Sequence, residues 1–138
     1  MGKHALKFIG AILIIPTMTL LGLMWWPLNP LELKSVAILN EDKRVVAGGK
    51  VVFEVHYVKH TDMAGKVVRQ LINNRVINYA PHVSDIPSGE AKRVGTLKTN
   101  RADEPGTYMV NYTVIYRYFG FREIAVSKLS DEFELVVK

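Results

Sequence analysis

The chain has 138 residues, a formal net charge of +5 and no cysteine. A chain without cysteine uses neither disulfides nor thiol chemistry, which excludes disulfide-stapled folds and thiol enzymes. The positive excess is small and contains no basic run. It is therefore too diffuse for a nucleic-acid interface, and we expect no nucleic-acid partner. The length suffices for one domain with a core of its own.

Residues 8–26 form an apolar segment without a single charge. As a helix rising ~1.5 Å per residue, the segment would be about 28 Å long, close to the ~30 Å hydrocarbon core of a bilayer. We therefore predict one membrane-spanning helix over residues 8–26. A cleaved signal peptide and a helix buried in a protein assembly are the alternatives. The bulky end Met24-Trp25-Trp26-Pro27, which has no small-residue cleavage site, counts against the signal peptide.

The flanks of this segment predict its orientation and its interface residues. Lys3 and Lys7 precede the segment, whereas the first charge after it is acidic. The positive-inside rule then places residues 1–7 in the cytoplasm and the later domain outside. Trp25 and Trp26 fit an aromatic belt at the membrane interface. The two lysines and the two tryptophans are the predicted membrane-interface residues.

Residues 27–32 are predicted to be a short, stiff linker between the membrane and the domain. Pro27 and Pro30 fix the backbone and prevent the helix from continuing. The domain, residues 33–138, is therefore expected to lie close to the bilayer rather than at the end of a long tether.

From Leu31 onward the apolar residues recur with a period near two, which indicates β-strands. In residues 107–119 every even position is aromatic or β-branched, which is typical of a central strand over a core. Residues 66–79 fit a helical period equally well, but their β-branched residues favour two strands joined by a turn at Asn73-Asn74. The other predicted strands are 33–39, 44–46, 50–60, 91–99, 122–126 and 131–137, with loops at 81–89 and 100–106.

Strands of this length and spacing predict an all-β sandwich of about seven strands. The run Gly106-Thr107-Tyr108, followed by Val110 and Tyr112, resembles the Gly-x-Tyr start of the penultimate strand in immunoglobulin-like and fibronectin-III-like domains. The resemblance covers the predicted domain and implies an immunoglobulin-like fold. It also implies that Tyr108 is a tyrosine-corner residue, whose hydroxyl bonds to upstream backbone. The chain departs from antibody-type domains because it lacks their inter-sheet cysteines and their core tryptophan.

The combination of a small uncleaved anchor with one cysteine-free sandwich loosely resembles small membrane proteins of phages and virions. It is also similar to accessory subunits of bacterial envelope machines. The resemblance implies a structural, membrane-associated protein, in a cell or in a virion membrane.

The histidines and carboxylates of the chain form no catalytic or metal-binding pattern. On one strand His56 and His60 would lie about 13 Å apart, at ~3.3 Å per residue, which is too far to share a metal. His82, Ser84 and Asp85 are adjacent in a predicted loop, and no nucleophile-elbow motif accompanies them. We therefore predict no catalytic residue, no metal and no cofactor, and hence no enzyme.

The aromatic cluster around residue 118 is the predicted contact surface. Its apolar stripe can also be read as core alone. If the strand extends past the edge of the sandwich, however, the aromatic residues become an exposed tip with arginines at its rim. The predicted partner-contact residues are Tyr116, Arg117, Tyr118, Phe119, Phe121 and Arg122.

These observations favour a non-enzymatic, single-pass membrane protein whose domain docks onto a larger protein assembly. The expected partners are the lipid bilayer and one or more proteins, and an oligomer is compatible with this role. The alternative is a membrane-tethered module that binds a ligand or a carbohydrate through the sandwich loops. The loops at 81–89 and 100–106 contain no aromatic residue, which counts against that alternative.

Overall fold

The structure, a computed structural model, describes residues 29–84 and 86–137. The predicted membrane helix at residues 8–26 and its four interface residues lie outside the described residues. Within the described ranges, no helix has the length and apolar character needed to cross a bilayer. The described chain is all-β, as predicted. It consists of β1 (Leu31–Ile38), a 3-10 turn (Glu41–Lys43), β2 (Arg44–Val46), β3 (Lys50–Lys59), β4 (Gly65–Ile72), β5 (Val76–Asn78), β6 (His82–Ser84), β7 (Gly89–Lys98), β8 (Gly106–Tyr118), β9 (Arg122–Leu129) and β10 (Phe133–Val136).

The strands form two sheets. The first has the order β1-β3-β7 and is antiparallel throughout. The second has the order β2-β10-β8-β4-β5, with β6 paired to β4 and β9 paired to β8. β9 and β10 pair with successive parts of β8, and β2 joins β10 in the one parallel pairing among the described strands. β8 is the central strand of the second sheet, as its long alternation predicts.

One apolar core lies between the two sheets. Alternate residues of β3 and β8 point into it, and Phe53 on β3 meets the ring of Tyr112 on β8 edge-on at 6.0 Å between centroids. Burying each large apolar side chain contributes roughly 1.5–3 kcal/mol. The buried apolar residues are Leu31, Leu33, Val36, Ile38, Val45, Val51, Phe53, Val55, Tyr57, Val67, Leu71, Leu97, Tyr108, Val110, Val114, Tyr116, Phe133 and Leu135.

The strands differ from the sequence prediction at several places. Residues 66–79 do form two strands joined by a turn, so the helical alternative is wrong. The predicted loop at 81–89 is wrong in part, because residues 82–84 pair with Gly65–Val67 as β6. This edge strand has only three residues, and its central Val83 is 71% exposed, so no alternation marks it in the sequence. β9 continues to Leu129, beyond the predicted strand end at 126.

The structure brings the start of β1 and the β8–β9 turn to the same end of the sandwich. Leu31 pairs with Lys59, the last residue of β3, and the backbone N–H of His60 donates to the carbonyl of Pro30 at 2.8 Å. Residues 60–64 then lead directly into β4, whose Lys66 pairs with Ile115 of β8. β8 continues for three residues past that pairing. The β8–β9 turn therefore lies at the end where Pro30 leads into the domain, which we call the N-terminal end.

Candidate functional site

The β8–β9 hairpin turns with a strained aromatic residue at its apex. The N–H of Phe121 donates to the carbonyl of Tyr118 at 3.3 Å, and both residues between them have positive φ, 56° at Phe119 and 73° at Gly120. Two such residues are typical of type I′ hairpin turns, whose usual sequence is Asn-Gly or Asp-Gly. A bulky side chain in this left-handed region costs roughly 1–2 kcal/mol. Strain of this kind concentrates at functional positions, so Phe119 is a candidate contact residue.

The rings at this hairpin form an exposed apolar surface, which we call the aromatic tip: Tyr118, Phe119 and Phe121. Phe119 is 58% and Phe121 52% exposed, and their rings stack at 5.9 Å between centroids. The ring of Tyr118 contacts Phe119 at 6.2 Å. Exposed aromatic groups of this kind are common at the centres of protein interfaces.

Three charged side chains flank the aromatic tip. A guanidinium nitrogen of Arg117 lies 3.4 Å from a carboxylate oxygen of Glu123, and both side chains are more than half exposed. Arg122 follows the tip as the first residue of β9 and is half-buried. An apolar centre with a charged rim is the usual anatomy of a protein-contact patch.

Tyr116, one of the predicted contact residues, does not belong to this surface. Its side chain is 1% exposed and lies in the core beside Val114. Burial raises the pKa of Tyr116 to about 12, with smaller contributions from neighbouring tyrosines. The stripe of β8 is therefore core as far as Tyr116. Tyr118 is half-buried and still packs against the core, and the exposed rings are those of Phe119 and Phe121.

Tyr108 joins the start of β8 to the loop before it. Its hydroxyl donates to the backbone carbonyl of Glu104 at 2.6 Å, and its ring stacks on Phe133 at 6.0 Å between centroids. The ring is buried, and the hydrogen bond itself is partly buried. The bond fixes the turn through which the chain passes from one sheet to the other.

A second candidate site is a cleft of about 350 Å³ at the open edge between the two sheets, between β4 and β6 on one side and β7 on the other. Two arginines line it, Arg69 on β4 and Arg93 on β7. Both occupy positions that face the interior, since Arg69 lies between the buried Val67 and Leu71, and Arg93 pairs with the buried Val55. We call this the arginine cleft. Its described lining includes no acidic side chain.

The hydrogen bonds of Arg69 leave part of its guanidinium unused. Its two terminal nitrogens donate to the carbonyls of Thr96 at 3.3 Å and Ala80 at 3.5 Å, which are both long contacts. Its Nε is buried and has no hydrogen-bond partner among the described residues. A buried donor without a partner is uncommon in folded proteins and calls for an explanation such as a bound group.

The positive field of the two arginines reaches the other polar groups of the cleft. Burial lowers the pKa of His82, and the charges of Arg69 and Arg93 lower it further. Burial raises the pKa of the Tyr112 hydroxyl, and the same two arginines partly offset this rise. The lowered pKa favours the neutral form of His82, so the positive charge of the cleft lies mainly on the two arginines.

The other chemical groups considered in the sequence are divided between the outer face of the first sheet and the arginine cleft, and Asp85 lies outside the described residues. His56 pairs with Glu90 at 2.7 Å on the outer face of the first sheet. His82 and Ser84 line the arginine cleft together, with no nucleophile–base contact between them in the described part of the chain. The described residues contain no group of three or more histidine, aspartate or glutamate side chains that could hold a metal ion.

Sequence reasoning missed the two arginines. The apolar residues of β4 fall on both faces, as Val67 and Val68 illustrate, so the alternation does not reveal that Arg69 points inward. β7 has only one fully buried residue, Leu97, so its sequence does not show which face of the sheet Arg93 is on. Only the register of β7 against β3, which pairs Arg93 with Val55, places Arg93 on the inner face.

No protein-family model and no curated protein sequence matches this chain. Among solved structures, the chain is similar to part of a β-glucosidase from Listeria innocua, with 17% identity and a TM-score of 0.41. The same β-glucosidase in complex with glucose matches with 16% identity and a TM-score of 0.43. A mutant of it in complex with laminaribiose matches with 16% identity and a TM-score of 0.42. The matches cover 76–77% of this chain but only 15–16% of the β-glucosidase chains. At these TM-scores the likeness carries no argument about fold or activity.

Proposed function

We propose that this chain is a non-enzymatic, single-pass membrane protein whose immunoglobulin-like domain docks onto a larger protein assembly through the aromatic tip. The observation that carries the proposal is the stacked, exposed pair of Phe119 and Phe121 on a turn that is strained at Phe119. A phage or virion membrane is one setting for such a protein, and a bacterial envelope machine is another.

Strand order and one hydrogen bond support the immunoglobulin-like assignment. In the first sheet β3 lies between β1 and β7, and in the second β8 lies between β4 and the β9–β10 edge. Taken in chain order, this strand order is similar to that of an immunoglobulin-type sandwich, and the similarity supports the proposed assignment. The bond from Tyr108 to the carbonyl of Glu104 supports the role of Tyr108 as a tyrosine corner, since such tyrosines bond to backbone a few residues upstream.

The position of the aromatic tip in the domain limits how far from the membrane its partner can lie. The aromatic tip lies at the N-terminal end of the domain, where Pro30 meets His60. Residues 27–30 can span at most about 14 Å, because an extended chain advances about 3.3–3.6 Å per residue. If residues 8–26 cross the bilayer, the tip is held near the membrane surface. The proposed partner is accordingly a protein that is itself embedded in, or seated on, the same membrane.

Site-specific photo-crosslinking of the full chain in its membrane tests this proposal. We expect a benzophenone amino acid at position 119 or 121 to give one discrete protein adduct. The same probe at Val76, which is 54% exposed on the edge strand β5, is the matched control and should give none. Adducts to lipid only, or equal adducts from both places, would contradict docking through the tip.

The second candidate function is a membrane-tethered ligand-binding module. The arginine cleft is the observation that favours it, because it brings together a partly apolar wall and two arginines that form no ion pair with any described carboxylate. The two functions use different surfaces of the domain and do not exclude one another.

A further inference from the structure

We propose that Arg69 and Arg93 clamp a small oxyanion, a phosphate or a carboxylate group, in the arginine cleft. This inference goes beyond the docking function and does not depend on it. The juxtaposition that carries it is a pair of arginines on the inner faces of opposite sheets, with no acidic side chain in the described lining between them.

The positions of the two arginines set them apart from ordinary surface charges. Inner-face positions of a sandwich are normally apolar, and a charge placed there is expected to be paired. In the described part of the chain, neither Arg69 nor Arg93 forms an ion pair with a carboxylate. Two like charges that share a partly desolvated cleft repel each other. An anion between them is therefore attracted to both arginines and also offsets their mutual repulsion.

The donors that remain available fit an oxyanion. Guanidinium groups bind phosphate and carboxylate through planar pairs of N–H groups. Arg69 has a buried Nε–H without a partner, and its two terminal nitrogens make only long contacts. Arg93 is exposed at the mouth of the cleft and can approach the same anion from the other sheet. A neutral sugar would add no negative charge to the two arginines, which form no ion pair with any described carboxylate.

The size and walls of the cleft limit the ligand to a small molecule. A volume of about 350 Å³ lies at the lower end of the range for small-molecule sites. Phe53 and Val55 contribute apolar wall beside the arginines. The ligand class that fits is a compact organic phosphate or carboxylate whose apolar part contacts this wall.

Phosphate binding to the full chain in neutral detergent tests the proposal. Sodium phosphate replaces sodium chloride at constant ionic strength, and the side-chain Nε–H signals of the arginines are followed by NMR. We expect a saturable shift of the Arg69 Nε–H signal with a millimolar Kd. Phenyl phosphate should bind several-fold more tightly than phosphate because of the apolar wall. Titration with acetate distinguishes a carboxylate site from a phosphate site.

Two variants and one control make the test specific. Arg93→Met and Arg69→Met should each weaken phosphate binding at least tenfold. Lys92→Met removes the same charge from the neighbouring position on the outer face of β7, and should change the Kd less than twofold. If Arg69→Met unfolds, Arg93→Met decides, because Arg93 is exposed.

Three results would overturn the proposal. One is the absence of saturation by any of the three anions at tens of millimolar. Another is an equal loss of binding in the Arg93 and Lys92 variants, which would indicate general surface charge. The third is unchanged binding when both arginines are replaced in a protein that still folds. None of these results bears on the aromatic tip, whose crosslinking is read out separately.

Discussion

A Cβ atom on Gly95 would lie 2.6 Å from Cζ of Phe53, and the Phe53 ring fills the space that a side chain at position 95 would need. Gly95 lies on β7 directly opposite Phe53 on β3. The absent side chain leaves room for the far end of the buried ring, which meets Tyr112 edge-on. The same arrangement forms one wall of the arginine cleft.

We expect Gly95→Ala to destabilise the domain by about 1–3 kcal/mol, because overpacking forces a well-packed ring to shift. Urea unfolding of the full chain in detergent, followed by far-UV circular dichroism, measures the change. Phe53→Leu in the same chain should recover part of the loss, so the double variant should be more stable than the two single effects would predict. Purely additive effects would show that the Phe53 ring is not the group that the added methyl contacts.

Replacing Phe119 by asparagine should have opposite effects on stability and on docking. Asparagine tolerates the positive φ at this position, so Phe119→Asn is expected to stabilise the domain by about 1 kcal/mol. The same change removes one ring of the exposed stack and should abolish the protein adduct formed from position 121. Phe121→Asn is the control, since residue 121 does not have a positive φ and should show no gain in stability. A Phe119→Asn protein that is no more stable than wild type would mean that the turn is not strained.

Tyr108→Phe should destabilise the domain by about 0.5–1.5 kcal/mol, the usual net value of one hydrogen bond. The change removes the donor to the Glu104 carbonyl but keeps the buried ring on Phe133. Tyr79→Phe is the matched control, because its hydroxyl donates to the Lys98 carbonyl at 3.0 Å in an exposed place. Thermal unfolding should show a larger loss for the Tyr108 variant than for the Tyr79 variant. Equal losses would contradict a structural role for the corner bond.

Stability in acid should depend on Asp131. Burial alone would raise the pKa of this carboxyl, but hydrogen bonds from Lys43 and from the backbone N–H of Ile38 outweigh it and lower the pKa below its ordinary value of 3.8. A lowered pKa means that the unfolded chain binds the proton more readily than the folded chain. The stabilisation is therefore present above the unfolded value and is lost as pH falls through the folded pKa.

Asp131→Asn keeps the shape of the side chain and removes this titration. We expect the urea midpoint of the wild-type protein to fall more steeply than that of Asp131→Asn between about pH 5 and pH 2. At pH 7 the variant should be less stable, because it loses the ion pair with Lys43. Parallel curves for the two proteins over this range would rule out the proposed contribution of Asp131.

The features of the fold that could be predicted are those that produce a regular alternation of apolar residues within a single strand. The alternation of β8 from Tyr108 to Tyr118 predicts a central strand, and the structure has it at the centre of the second sheet. The β8–β9 turn is formed by residues adjacent in the chain. The exposure of Phe119 and Phe121 could therefore be expected from the sequence. Tyr116 could not be excluded from that surface, because only the depth of the core decides where the stripe becomes exposed.

What depends on pairing between distant segments could not be predicted. β6 exists because residues 82–84 find an unpaired edge at Gly65–Val67. The arginine cleft exists because Arg69 and Arg93, on strands of opposite sheets, point into the same gap. Neither arrangement produces a periodic pattern in the sequence, because each depends on how one strand pairs with another.

The contacts between the first and last strands have a consequence for the order of folding. β2 pairs with β10, and the Ile38 N–H donates to Asp131, 93 residues further along the chain. β2 therefore lacks its neighbour, and the Ile38 N–H its acceptor, until residues 131–136 have been synthesised, and pairing across so long a stretch of chain is slow. A chain that stops short of Phe133 would leave the edge of β8 open beside β2 and prone to pairing with another molecule. Synthesis of β10 is thus the step that closes the gap between β2 and β8.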